Sequence, residues 1–523
     1  MKKNWRRIAI ATITGCIYSI TITGQVTPEK LQLFLSDDIK MITLPIKFLP
    51  WVKEFYLKQS YKSVWIKHEN TGIRITLLNE LKEAGSKGLD EKDYSNNYTE
   101  SLRHNIFTLN DLNDSLKAEI MLTDAALHFY HDIAFGNTIP VFRYDGLKYS
   151  PACQQIPDLL AEYVSKNSLS ALPGRLLPQM REIIVLENKI RWISTIMKDS
   201  SFRETIVTSS KLNSQNKQLL TKLFQLGIMD SIPGNISDSL LKQNVKEAQK
   251  QFGLLADGIL KTTFLKELNV PISVRRQQLN LSVNYYRWLN CLTQSQSVIV
   301  VNIPAAYLTV YRNSETIIEM RMIVGKKSTP TPALTSSINE VVLYPYWHVP
   351  YSIATKELLP AIKKDPGYIN AGNYQVLNKA GKILDPYSIN WHALSTKYFP
   401  YIIRQSTGCD NTLGLLKLNF YNPFGVYLHD TPSKELFKRK KRFFSHGCMR
   451  MEKPMEIGHL VLKNNAIAID TLEQKECLRN QSPITVPADE HIPVVVWYNP
   501  AGTDSSGRVV FYEDVYGKFK WGK

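Results

Sequence analysis

The sequence predicts a multi-domain α+β protein: a mostly helical N-terminal region, a small three-helix unit, and a β-rich C-terminal domain. Three observations carry that reading. Apolar residues recur at helical spacing up to about residue 205. A short helix–turn–helix pattern punctuated by glycines fills residues 206–271. From Ser297 the period changes from helical to strand-like. The 523 residues, 44% hydrophobic and 21% charged, exclude collagen-like, disordered and multi-span membrane classes. With 64 Lys+Arg against 47 Asp+Glu the net charge is +17, which favours an anionic partner: nucleic acid, a membrane surface or an acidic polymer.

Residues 1–29 read as an export leader or a membrane anchor. MKKNWRR is a basic start and IAIATIT a short apolar run. Ile13-Thr14-Gly15-Cys16 also resembles a lipobox, which would make Cys16 a lipidated N-terminus. Export implies an oxidising compartment. There Cys153, Cys291, Cys409 and Cys477 allow three disulfide pairings that sequence does not rank. CxxC and HExxH patterns are absent, and His128 and His131 read as two helix-surface histidines without a third ligand. Neither a metal nor a cofactor is expected.

Residues 30–205 form the predicted helical scaffold, with Ile75, Leu77, Leu78 and Leu81, then Leu116, Ile120, Met121 and Leu127, at helical spacing. In 206–271, helices stop at Gly227 and Gly253, an Asp257-Gly258 turn follows, and 262–268 makes a last short helix. Residues 272–295 read as a linker helix divided between a polar and an apolar face. Residues 296–480 are the β-rich domain, with a hairpin of 308–311 and 317–324 around the turn 312–315. A helical insert is expected at about 350–405. In the tail, 481–523, residues 492–497 and 508–512 read as a last β pair.

The chemistry concentrates in GVYLHDTPSKELFKRKKRFFSHGCMRME, residues 425–452. A strand ends at Leu428 and presents His429. Nineteen residues later stands Cys448, directly after Ser445-His446-Gly447. A cysteine becomes a strong nucleophile once an imidazole lowers its pKa or takes its proton. A glycine before it lets the backbone fold tightly and aim N–H groups at a developing oxyanion. Asp430 is adjacent to His429 but on a strand points to the opposite side, so it takes no triad role. KRKKR, residues 438–442, reads as a solvated, positive cleft rim. No stacking-aromatic or groove-reading motif accompanies it, so nucleic acid is not an expected partner.

The spacing H-x15-S-H-G-C, followed by Met449 and Arg450, resembles the active-site motif of the L,D-transpeptidases, the YkuD-type cysteine enzymes that remodel peptidoglycan. NIPAAYLTVY, MRMIVGKKSTPTP, YPYWHVPYSIATKELLP and DNTLG resemble the large multi-domain branch of that family. VKEAQKQFGLLADG resembles the small peptidoglycan-binding domain, with Ala248 where that domain prefers Phe. The resemblance implies a YkuD-type catalytic domain with a capping insert, a peptidoglycan-binding unit and a scaffold. It implies that Cys448 attacks a tetrapeptide stem, D-Ala leaves, and a diaminopimelate amine resolves the thioester to a 3→3 crosslink. The sequence does not choose between that amine, water (an L,D-carboxypeptidase) and a protein amine (anchoring) as acceptor, and a non-catalytic wall-binding protein is the alternative of another class. His429 would move the protons, held by a main-chain carbonyl, while His446 and Gly447 shape the pocket. Arg450 would bind a stem carboxylate; Ser445, Tyr427, Arg404, Tyr346 and Trp347 complete the substrate-binding set. Acylation by carbapenems and a cell-envelope or periplasmic location, with the N-terminus as a membrane tether, are further implications.

Overall fold

A computed structural model describes residues 25–103, 111–475 and 481–521. The leader, the lipobox and Cys477 lie outside the described residues. The chain forms two compact units. The first takes the described residues up to 85, then 89–133 and 154–177; the second takes 86–88, 134–153 and the chain from 178 onward.

The first unit is helical, and its long helix Leu112–Phe135 supplies the anchor. Glu119, fully buried on that helix, accepts from the N–H groups of Trp65 and Ile66 at 3.1 Å and from the Ser63 hydroxyl at 2.9 Å. These bonds satisfy an irregular stretch of backbone that no helix serves, and burial without them would be costly. His128 is not the surface histidine expected from spacing. It is buried, 3.1 Å from Asp132, with the Lys47 ammonium against its Nε2. His131 lies 2.8 Å from the same carboxylate. The correction has a simple cause: a polar partner one turn away lets an imidazole go inside.

The second unit is built on strands. In order they are Leu334–Leu343, Leu416–Phe420, Leu428–His429, Met449–Met451, Glu315–Gly325, Tyr307–Arg312, Val298–Asn302 and Pro493–Trp497, and the last pairs back onto the first. The path therefore closes on itself, with Leu308, Met322, Val341, Leu418, Leu428 and Met449 among the core residues inside it. Residues of opposite parity on the same strands face outward. The hairpin turns at Asn313 and Ser314, both at positive φ, the geometry that matches strand twist.

Three expectations change here. Residues 493–497 are not half of a terminal hairpin. They pair in parallel with Val298–Asn302 and antiparallel with Leu334–Leu343, while Ala501–Thr503 and Val509–Phe511 pair with each other. The insert is not purely helical: its short helices sit with a four-stranded sheet formed by Trp347–His348, Ile402–Gln405, Tyr374–Leu377 and Ile383–Leu384. It has its own core, including Ile362, Trp391 and Ile403. The helix Ile272–Ser295 is no linker; it is buried around most of its circumference and packs along Arg181–Lys198. Its polar residues misled the reading because they are satisfied inside. Arg287 bonds Glu187 at 2.6 Å with both buried, and Arg275 stacks between Phe252 and Phe511. Cys153 bonds Cys291 on this helix, and Cys409 is also disulfide-bonded.

In the three-helix region the helices are Lys217–Gln225, Asp238–Gln251 and Thr262–Leu268. Gln249, buried, holds the Asp257-Gly258 turn through its amide to Asp257 (2.9 Å) and by accepting the Gly258 N–H (2.8 Å). Removing one partner of a buried pair leaves an uncompensated charge. Arg287→Ala is therefore expected to cost about 3–5 kcal/mol, read as a lower urea midpoint; an unchanged midpoint would refute that role for the pair.

Candidate active site

The strand Leu428–His429 runs parallel to Met449–Met451, with Leu428 opposite Met449 and His429 opposite Arg450. The Met449 N–H donates to the Tyr427 carbonyl at 3.0 Å, so Cys448 enters its strand beside Tyr427. Tyr427, His429, Cys448 and Arg450 thus share the outer face. Lys417, opposite His429 on the other side, joins them.

The turn that carries the thiol is braced from within and from behind. Ser445 donates its hydroxyl to the Cys448 carbonyl at 2.5 Å and accepts the Gly447 N–H at 3.2 Å. Gly447 has φ +121°, a conformation that L side chains rarely adopt, although space for a Cβ exists there. Thr331 donates to the Gly447 carbonyl (2.8 Å), and Thr329 and the Lys326 N–H both reach the Ser445 carbonyl. The segment 325–331 can cradle the turn because Gly325 lacks a Cβ, which would fall 2.3 Å from the Thr329 carbonyl. Ser445, expected to meet substrate, is buried with its hydroxyl committed to this turn.

His429 is buried, and its Nδ1 lies 2.5 Å from the Asp430 carbonyl. A carbonyl only accepts, so Nδ1 carries the proton and Nε2 is left as the basic atom. Asp430 itself is turned away: its carboxylate accepts from the Leu415 N–H at 3.0 Å and pairs with Lys434. Burial, then the neighbouring Arg450 cation, pushes the imidazole pKa down to about 3. Burial also raises the Cys448 thiol, opposed by hydrogen bonds from Tyr427 and by the Lys417 and Arg450 cations. The resting pair is a neutral thiol and a neutral imidazole. Among the described residues no hydrogen bond joins the two; Tyr427 is the thiol's neighbour and favours the thiolate, and Trp347 neighbours the Tyr427 hydroxyl.

The other expected residues separate into two groups. Trp347 reaches the catalytic face through Tyr427. Tyr346 lies instead under the Arg404 guanidinium at 4.2 Å, and Arg404 donates to Gln375 at 2.8 Å within the insert's sheet. His446 is exposed, and its Nε2 pairs with Glu357 of the insert at 2.7 Å. KRKKR is only partly solvated. Arg442 donates to the carbonyls of Ala305, Ala306 and Met322, tying the loop to the barrel. Lys417 is the residue sequence reasoning missed. Its one signal was a lysine inside the alternating strand LKLNF.

Two outcomes follow from this geometry. Alkylation of Cys448 by iodoacetamide should keep rising to about pH 9 with no plateau between about pH 6 and 7, because the thiol is raised and the imidazole is already neutral there. A plateau in that window would mean a preformed thiolate–imidazolium pair. Ser445→Ala should slow that alkylation about tenfold while Ser445→Thr retains it, one hydrogen bond to the turn being worth about 1–1.5 kcal/mol; equal rates in both would remove Ser445 from the turn's support.

Residues 296–469 match the model of the L,D-transpeptidase catalytic domain, YkuD, and residues 50–182 match that of the Scaffold domain. A curated relative from Haemophilus influenzae, described as a putative L,D-transpeptidase, is 36% identical over 237 residues. That alignment covers 45% of this chain and 47% of the relative, so the match spans about half of each. Solved L,D-transpeptidases from Mycobacterium smegmatis and Stackebrandtia nassauensis are each 16% identical. The first has a TM-score of 0.18 and covers 38% of this chain and 58% of its own; the second has 0.22 and covers 57% and 98%. The likeness to the L,D-transpeptidases therefore rests on residues 296–469, which match the YkuD catalytic domain, beside the Scaffold match at 50–182.

Proposed function

We propose that the chain is a peptidoglycan L,D-transpeptidase that makes 3→3 crosslinks by cysteine acyl transfer. The observation that carries this reading is the shared outer face of Cys448 and His429, with the imidazole anchored at Nδ1 and Nε2 left basic. Cys448 Sγ attacks the carbonyl carbon between diaminopimelate and the terminal D-Ala of a tetrapeptide stem. Its proton passes to His429 Nε2 as the bond forms, so the buried imidazole becomes charged only while an anion develops beside it. The Cys448 N–H has no partner among the described residues and faces the developing oxyanion, whereas those of Gly447 and Met449 are already engaged. His429 then protonates the leaving D-Ala amine and the C–N bond breaks. The diaminopimelate side-chain amine of a second stem attacks the thioester, gives its proton to His429, and releases Cys448.

Arg450 offers a planar fork to a stem carboxylate. The three-helix region serves as a peptidoglycan-binding unit, and the protein works outside the cytoplasm, in the periplasm or cell envelope, tethered or released at its N-terminus. The +17 charge then favours approach to a carboxylate-bearing wall.

The test is muropeptide analysis of the purified protein with a disaccharide-tetrapeptide. Crosslinked dimer and free D-Ala are expected, with none from Cys448→Ala and a loss of about 10²–10⁴-fold in kcat for His429→Gln. Tripeptide alone would mean that water, not a stem amine, resolves the thioester. An unaltered substrate with the thiol intact would refute acyl transfer altogether. A carbapenem adduct on Cys448, seen by intact mass, is the independent check on the acylation step.

A further inference from the structure

One cation on the catalytic face has no part in the chemistry described above. Lys417 is the register partner of His429 on Leu416–Phe420, so it occupies the same outer face one strand further from Cys448. Its ammonium lies 4.2 Å from the centroid of the Tyr427 ring, against the thiol's neighbour. It is half-buried, and among the described residues it forms no ion pair. Glu340, the acid whose charge reaches it, is bonded at 2.6 Å to Asn419. On the other side of His429 stands Arg450, whose Nε is buried without a hydrogen-bond partner. Two half-buried cations without carboxylates are expensive, and a ligand that brings its own anion offsets that cost.

The order of the strands says which anion. Nucleophile, base and Lys417 stand on three successive strands, each about 4.8 Å from the next. An acyl carbon at Cys448 puts the leaving amine beside His429, where it must be to take the proton. In an amino-acid leaving group the carboxylate is one carbon beyond that amine, and the next strand holds Lys417. We propose that Lys417 is a specificity-determining residue that binds the terminal carboxylate of the donor's leaving amino acid, while Arg450 serves the acyl side. The assignment rests on the transpeptidase reading for its substrate, but the anion site itself does not.

Two measurements on Lys417→Met and Lys417→Arg, with fold retention checked by circular dichroism, test it. In the first, Cys448 is alkylated with iodoacetate and with iodoacetamide. The ratio of the two rates cancels any change in thiolate population and reads attraction of an anion alone. That ratio should fall about fivefold or more in Lys417→Met and persist in Lys417→Arg. In the second, a tetrapeptide donor with a free terminal carboxylate is compared with its terminal amide. The wild-type chain should prefer the free acid about tenfold, mostly through KM, the size of one charge-assisted hydrogen bond. Lys417→Met should lose the preference. An unchanged preference, or a parallel fall for acid and amide, overturns the proposal. A wild-type chain inert toward both donors, with an alkylation ratio that still depends on Lys417, would sink the transpeptidase reading and leave the anion site standing. Inertness together with an unchanged ratio would sink both.

Discussion

The site depends on a parallel pairing between two very short strands, Leu428–His429 and Met449–Met451. Cys448 follows His429 by nineteen residues, and this ladder brings the two ends of the intervening segment together. The pairing places both side chains on one face at neighbouring positions. It is stabilised from below, where Leu428, Met449 and Met451 enter the barrel core. Core packing therefore sets the nucleophile's register: a slip of one residue would turn the thiol and the imidazole into the core together.

Burial gives the site a second property. Desolvation disfavours both the thiolate and the imidazolium, so neither charge stands in the resting protein. The thiol, with Tyr427 as its neighbour, is not ionised in advance. In the proposed reaction charge develops only at the moment of attack, next to the half-buried cations Lys417 and Arg450. Under that reading the thiol is quiet toward water yet responsive to a substrate that brings its own carboxylates.

How much of this was legible follows from range. The motif H-x15-SHGC is contiguous, so a thiol brought beside an imidazole could be expected from residue types and spacing alone. Helices with clear periodicity, such as Asp238–Gln251, were also readable. What failed was non-local. The strand Pro493–Trp497 finds its partners nearly two hundred residues upstream, at Val298–Asn302, and nothing in its own pattern says so. The helix Ile272–Ser295 looked amphipathic because Arg275 and Arg287 are charged, yet each finds an acid inside. His128 looked exposed until Asp132 and Lys47 supplied its partners. Lys417 was invisible because one lysine in a strand signifies nothing until its register with His429 is known. Ser445 was assigned to substrate through the family resemblance, whereas its hydroxyl is bonded within the turn itself.

Two contacts between the insert's sheet or helices and the catalytic face end on neighbours of Cys448. Trp347 neighbours the Tyr427 hydroxyl, and Glu357 pairs with His446, two residues before Cys448. The insert has its own sheet and its own hydrophobic core. A shift of the insert would therefore alter both contacts. The exposed His446–Glu357 pair is screened by water and contributes little. Tyr427 is thus the shared neighbour of the Cys448 thiol, of Trp347 from the insert's sheet and of the half-buried ammonium of Lys417.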